Sequence, residues 1–121
     1  MDDFPAFMRN PANAIAARSQ SPGVEGYVFD GADGGQMACW TCAADGQSEE
    51  HVHDFDEYFT VVAGRYDVII EGRRIPILPG QEMHIPKNIP HAGAFTAGTR
   101  TIHAFGGKRA QRREETPPSR S

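Results

Sequence analysis

No apolar run in this chain approaches the roughly 18 residues that a membrane-spanning helix requires. Nor does the N-terminus offer a basic stretch followed by an apolar one. It opens on Asp2 and Asp3, no secretory signal is visible, and a cytoplasmic location is expected. Positive charge is in deficit, with 12 Lys and Arg against 16 Asp and Glu, and the net charge of −4 argues against a general nucleic-acid surface. Cysteine is scarce as well. Cys39 and Cys42 have the Cys-x-x-Cys spacing of redox and zinc motifs, but no second pair accompanies them. Their segment, Gln36 to Cys42, reads as a strand, on which residues three apart face opposite sides, so neither a disulfide nor shared metal ligation is expected. Reduced thiols in a half-buried strand are the expectation. No exact internal repeat is present, which excludes a solenoid.

The 121 residues suffice for one domain with a real core. Hydrophobic content of 39% with 13 Gly and 9 Pro favours a turn-rich β protein over a helical bundle. Strand-like runs at 26–29, 36–42, 51–62, 65–71, 74–78, 82–85, 92–96 and 99–105 alternate with Gly, Asp, Asn and Pro turns, a rhythm that indicates a sandwich or barrel. Residues 1–22 read as an N-terminal arm, with a short helix over Ala12 to Ala17 capped by Asn10 and led by Pro11. The arm has too little apolar surface to fold alone and is expected to pack on the barrel or on a partner subunit. Residues 107–121 read as a basic, disordered tail, with four arginines and one lysine against two glutamates.

His51, His53 and Glu57 carry the chemistry. On a strand, residues two and four apart project to one face, so these three side chains point the same way. His91, after the Pro79-Gly80 turn and Ile89-Pro90, supplies a fourth donor. Imidazole nitrogens with one carboxylate and no thiolate suit one divalent transition metal (Fe, Mn, Ni, Co, Cu or Zn), with open positions for water, oxygen or substrate. The same phase turns Phe55, Phe59 and Val61 inward and Asp54, Asp56 and Tyr58 outward. On the next strand, Tyr66, Val68 and Ile70 face the core. Phe55, Phe59, Trp40 and Phe95 are the expected substrate-pocket residues. His103 and Tyr66 are the candidate catalytic groups. If Thr101, His103 and Phe105 face inward, His103 becomes a base or substrate contact beside the metal ligands; if Ile102 and Ala104 do, it is a surface histidine. His84, flanked by Met83 and Ile85, is expected to point outward. Arg65, Arg73, Arg74 and Arg100 are possible carboxylate anchors, but nothing in the pattern places them in the pocket.

Two motifs resemble a known family. Gly46-x4-His51-x-His53-x3-Glu57-x6-Gly64 is similar to the first motif of the cupin superfamily, and Gly80-x5-Pro86-x-Asn88-x2-His91 to the second. The first has one residue fewer than usual between Gly46 and His51. In the second, Asn88 stands where glycine is usual and Phe95 where asparagine is common. Asn tolerates the left-handed backbone that glycine would serve there. The resemblance implies an RmlC-like, all-β double-stranded β-helix (jelly-roll) barrel over residues 23–106, commonly a homodimer, with His51, His53, Glu57 and His91 at the four ligand positions. It implies no single activity. A metal-dependent enzyme acting on a small oxygenated molecule is expected, with a dioxygenase favoured on family frequency. The alternatives are a non-redox isomerase or lyase and a non-catalytic ligand-binding cupin; a zinc held only for stability ranks last. The expected partners are a small-molecule substrate or ligand and a second copy of the chain, rather than nucleic acid or a membrane.

Overall fold

Among the described residues, alternating apolar and polar residues, cut by turns, produce nine strands: β1 (Val24–Asp30), β2 (Gln36–Cys42), β3 (Gly46–Gln47), β4 (Glu57–Ala63), β5 (Tyr66–Ile70), β6 (Arg73–Ile77), β7 (Glu82–Ile85), β8 (Ala92–Phe95) and β9 (Arg100–Phe105). The structure is a computed structural model that describes residues 3–113. Five strands form one antiparallel sheet in the order β1-β2-β9-β4-β7, and four form a second in the order β3-β8-β5-β6. This is the jelly-roll barrel. The last strand, β9, sits inside the larger sheet, pairing with β2 on one side and with β4 on the other.

Inward residues of the strands make two apolar clusters. Phe59, Val61, Val68, Ile77 and Ile85 fill one, with Tyr66 and Met83 packed against it. Val28, Ala38, Trp40 and Phe105 fill the other, joined by Ile15 and Ala110 from outside the barrel strands. Phe59 and Val61 are buried, while Asp54, Asp56 and Tyr58 are exposed, so the phase along β4 is as the alternation predicts. Cys39 and Cys42 are buried free thiols. Burial pushes the Cys42 thiol up to about 11, which keeps it protonated and inert. Among the described residues no helix is long and apolar enough to cross a membrane.

Three segments differ from their sequence-based expectation. The helix over Ala12 to Ala17 is absent. Asn10 does cap, accepting from the Ala12 amide at 3.0 Å, but the turn it starts is a 3-10 helix of three residues, Pro11–Asn13. Ala14 and Ile15 then form β-bridges to Tyr27 and Arg112. Full burial of Ile15 in the core stabilises this by roughly 1.5–3 kcal/mol, which outweighs the helix preference of the alanines. Second, the run from His51 does not form one strand. His51 makes an isolated bridge with His91, and the regular ladder begins only at Glu57. Third, residues 108–113 are not a solvated tail. Ala110 is buried, and Arg112 ties Asp30, the Val28 carbonyl and Asn13 together. The remainder of the expected tail, 114–121, lies outside the described residues.

Candidate metal centre

The bridge between His51 and His91 begins the site. Their backbones exchange hydrogen bonds of 2.8 and 2.9 Å, which brings the two motifs together and sets the imidazole centroids 4.4 Å apart. His51 Nδ1 donates to the Glu49 carbonyl at 2.8 Å, and His91 Nδ1 donates to the Ile89 carbonyl at 2.8 Å. Each bond fixes the tautomer that leaves Nε2 as a lone-pair donor, the usual outer support of a metal-binding histidine. His53 is placed by its neighbours. Its carbonyl accepts from the Asn88 amide at 2.7 Å, and its ring stacks on Phe55 with centroids 4.9 Å apart. Asn88 has φ of 67°, so it occupies the left-handed conformation that its identity allows.

One ligand atom from each of His51, His53 and His91 lies within 4.8 Å of the others. Glu57 Oε1 joins them, 3.6 Å from His53 Nε2 and 3.4 Å from His91 Nε2. His53 Nε2 and Glu57 Oε1 are buried and have no hydrogen-bond partner. Two buried polar atoms 3.6 Å apart and without a hydrogen bond are costly unless something electrophilic lies against them. The donor set therefore fits a divalent metal ion held by nitrogen and oxygen.

Burial lowers the His51 pKa and brings that of His53 to about 4, so both rings are neutral near pH 7. Burial also works against the charge on Glu57. The hydrogen bond from His103 and the attraction of nearby His91 outweigh it, so Glu57 stays ionised well below the usual carboxylate range. For His91, burial opposes the cation, while Glu57 and the Ile89 carbonyl favour it and raise its pKa.

His103 faces inward together with Thr101 and Phe105. Its Nδ1 donates to Glu57 Oε2 at 2.8 Å and its Nε2 pairs with Thr101 Oγ1 at 2.9 Å. His103 thus takes up one oxygen of Glu57 and leaves the other for the cluster.

A family model described as a Cupin domain matches residues 39–105, more than half of the chain. The chain is a cupin. No curated protein matches its sequence. Among solved structures, KdgF from Halomonas sp. is similar at a TM-score of 0.64 and 19% identity, over 78% of this chain and 93% of that one. An RmlC-like cupin from Shewanella frigidimarina gives a TM-score of 0.69 at 15% identity, covering 81% and 86%. The polyketide cyclase RemF from Streptomyces resistomycificus gives 0.63 at 18%, covering 88% and 76%. At these identities the likeness is one of fold.

In this cupin the cluster stands between an inner cavity and an outer cleft. The cavity, about 70 Å³, is lined by His51, Glu57, His91 and His103 with Trp40, Tyr66, Phe95 and Phe105. The cleft, about 900 Å³, is lined by His51, His53 and Phe55 with residues of the 18–22 and 47–50 segments. Trp40 and Phe95 therefore lie where a pocket was expected. Phe55 lies on the cleft side instead, against His53. Phe59 does not line either space: it stacks on His103 at 4.8 Å and sits one layer deeper, in the core. Tyr66 reaches the cavity, its hydroxyl against Gly93, where a Cβ would come within 1.9 Å of the oxygen. Burial raises the Tyr66 pKa, which keeps the hydroxyl protonated. His84 is exposed, as Met83 and Ile85 dictate.

None of the four arginines considered as anchors is in the pocket. Arg65 and Arg74 bind Asp67, Arg73 is exposed, and Arg100 lies over the Phe4 ring at 5.2 Å. The cation that lines both cavity and cleft is Arg109, which the charge pattern had assigned to the tail. The only sequence signal for it was its position four residues after the inward-facing Phe105.

Proposed function

We propose that this cupin is a metal-dependent enzyme acting on a small oxygenated organic molecule, with His51, His53, Glu57 and His91 holding one divalent transition metal. The observation that carries this reading is the pair of buried, partnerless atoms His53 Nε2 and Glu57 Oε1 inside a cluster of imidazoles. When bound, such an ion polarises a substrate oxygen as a Lewis acid and, where it is redox-active, serves dioxygen chemistry. Glu57, held at its far oxygen by His103, acts as a fixed ligand rather than a mobile base. His103 in turn is a positioning residue. Trp40, Phe95 and Phe105 supply apolar surface to a cavity whose other walls are polar. Tyr66, which lines the cavity and whose hydroxyl stays protonated, is the candidate proton donor to substrate.

The reaction takes one of two forms. A dioxygenase is the form favoured by family frequency, a fold-level analogy. A non-redox isomerase or lyase is favoured by Tyr66, because a proton donor serves that chemistry directly. Metal content of protein purified anaerobically without a histidine tag, beside His51→Ala and His91→Ala, tests the site. Near-stoichiometric metal in the parent and its loss in both variants is the expected result; no bound metal and no metal-dependent thermal shift would sink the catalytic reading. Oxygen uptake with candidate substrates then separates the two forms, and metal binding without turnover would leave a ligand-binding module.

A further inference from the structure

We propose that the molecule taken up at this site is a small carboxylate, its anionic group held by Arg109 while another oxygen faces the metal ligands; this rests on the metal-centre reading above. Arg109 borders both the inner cavity and the cleft, and His51 borders the same two spaces. A ligand occupying their junction meets the guanidinium and the imidazole cluster at once.

Arg109 is held as a recognition group would be. Its backbone amide donates to Gln36 Oε1 at 2.7 Å, and its Nη1 donates to the Ser19 carbonyl at 3.0 Å. The guanidinium lies over Trp40, 5.8 Å from the ring centroid, and Trp40 is fixed by donation from its Nε1 to Gln20 Oε1 at 3.0 Å. Arg112, three residues on, is neutralised by Asp30 at 2.9 Å. Among the described residues Arg109 has no such carboxylate. The nearest acidic influence is Glu57, which His103 and the metal cluster already engage. A half-buried cation with one carbonyl partner has lost water without gaining an anion, and a bound anion would supply what is missing.

The single bond at Nη1 leaves Nε and Nη2, the edge that receives a planar carboxylate through two parallel hydrogen bonds. Because Trp40 and the Ser19 carbonyl already restrict the side chain, little further ordering is needed on binding. The cavity of about 70 Å³ limits what lies beyond the anchor to a few heavy atoms, so the ligand is small or has only one end inside.

The test uses zinc-loaded full-length protein, its metal content measured first, titrated calorimetrically with succinate, with its half-amide succinamate, and with inorganic phosphate. Succinamate has a single carboxylate, so in either orientation it can give a full charge to Arg109 or to the metal but not to both. The expected result is a preference for succinate over succinamate of about tenfold, the scale of a hydrogen-bonded charge. Arg109→Gln should abolish that preference with metal content unchanged, and Arg109→Lys should keep part of it. Equal affinity for the acid and the half-amide in the parent protein overturns the proposal, as does an unaltered preference in Arg109→Gln. Phosphate binding more tightly than succinate, and losing that advantage in Arg109→Gln, overturns the carboxylate assignment. If Arg109→Gln fails to fold, the parent and Arg109→Lys ratios decide alone. Failure of the parent to take up zinc defeats the metal reading instead, and the acid-to-amide ratio of the metal-free protein then decides for Arg109.

Discussion

His103 is the residue whose surroundings define its part most sharply. Both ring nitrogens are committed, one to Glu57 and one to Thr101, and the ring is sandwiched between Phe59 at 4.8 Å and Phe105 at 5.7 Å. A group so enclosed orients its neighbour. His103→Ala should therefore weaken metal affinity by about 10–100-fold, the usual cost of losing a metal ligand's hydrogen-bonded support, with the barrel still folded. Chelator competition measures it, with circular dichroism as the folding check. Tyr66→Phe makes the contrasting case: metal affinity should stay within about twofold while turnover falls, because Tyr66 lines the cavity without hydrogen-bonding the proposed ligands. The clustering of His51, His53, Glu57 and His91 was legible in the sequence from their spacing, although the backbone bends at Asp54 and Phe55 and the regular strand begins only at Glu57. Arg109 was not legible. Its neighbours Lys108, Arg112 and Arg113 give the composition of a solvated tail, and no local pattern reveals that Trp40, far away in sequence, awaits a cation.

At the scale of elements, β5 carries a charge where a pleated strand would be expected to expose one. Asp67 is buried because Arg65, from the preceding turn, and Arg74, from β6, close over it at 2.8 and 3.3 Å. The hydrogen bond from Arg65 is the main reason that its pKa lies below the ordinary value of 3.8. A carboxylate depressed in the folded state stabilises the fold above its unfolded pKa and loses that contribution as pH falls through the folded one. Asp67→Asn should accordingly cost about 1 kcal/mol at pH 7, held to that size by the exposure of both arginines, and less at pH 3. Urea denaturation at the two pH values measures the difference. Strand positions were read well wherever apolar alternation met a turn, as at β2 and β7. The helix misread over Ala12 to Ala17 shows the limit. Alanine-rich sequence favours a helix locally, but Ile15 is claimed by the core formed from Val28, Trp40 and Ala110, and tertiary burial overrides propensity.

For the whole molecule, the two segments outside the barrel strands form one structural unit with it. Ala16 donates to the Gln111 carbonyl, Arg113 donates to the Ala14 carbonyl, and Arg18 bonds Gln111 across the chain. Truncation after Gly107 should thus lower stability by at least about 2 kcal/mol, since it removes Ala110 from the core and the three bonds of Arg112. A fall in thermal midpoint would record it, whereas a disordered tail would leave the midpoint unchanged. The outer face of the larger sheet bears a row in which Met37 and Tyr58 flank Ala104, with Val62 further along β4. The homodimer expected of the family would cover these exposed apolar side chains. Light scattering should then show a dimer, and Tyr58→Asp with Val62→Asp a monomer.

The place of β9 governs how the chain comes to be folded at all. Residues up to 98 can supply β2 and β4, but the strand between them is made last, and until it arrives both present open edges in the middle of what will be a sheet. The four residues proposed to hold the metal all precede β9 in the chain, whereas Arg109 follows it. β9 also carries His103, which bonds Glu57, so the candidate metal centre is completed only when this strand is in place. The chain's slowest step in refolding should be the insertion of β9, a pairing between residues far apart in sequence.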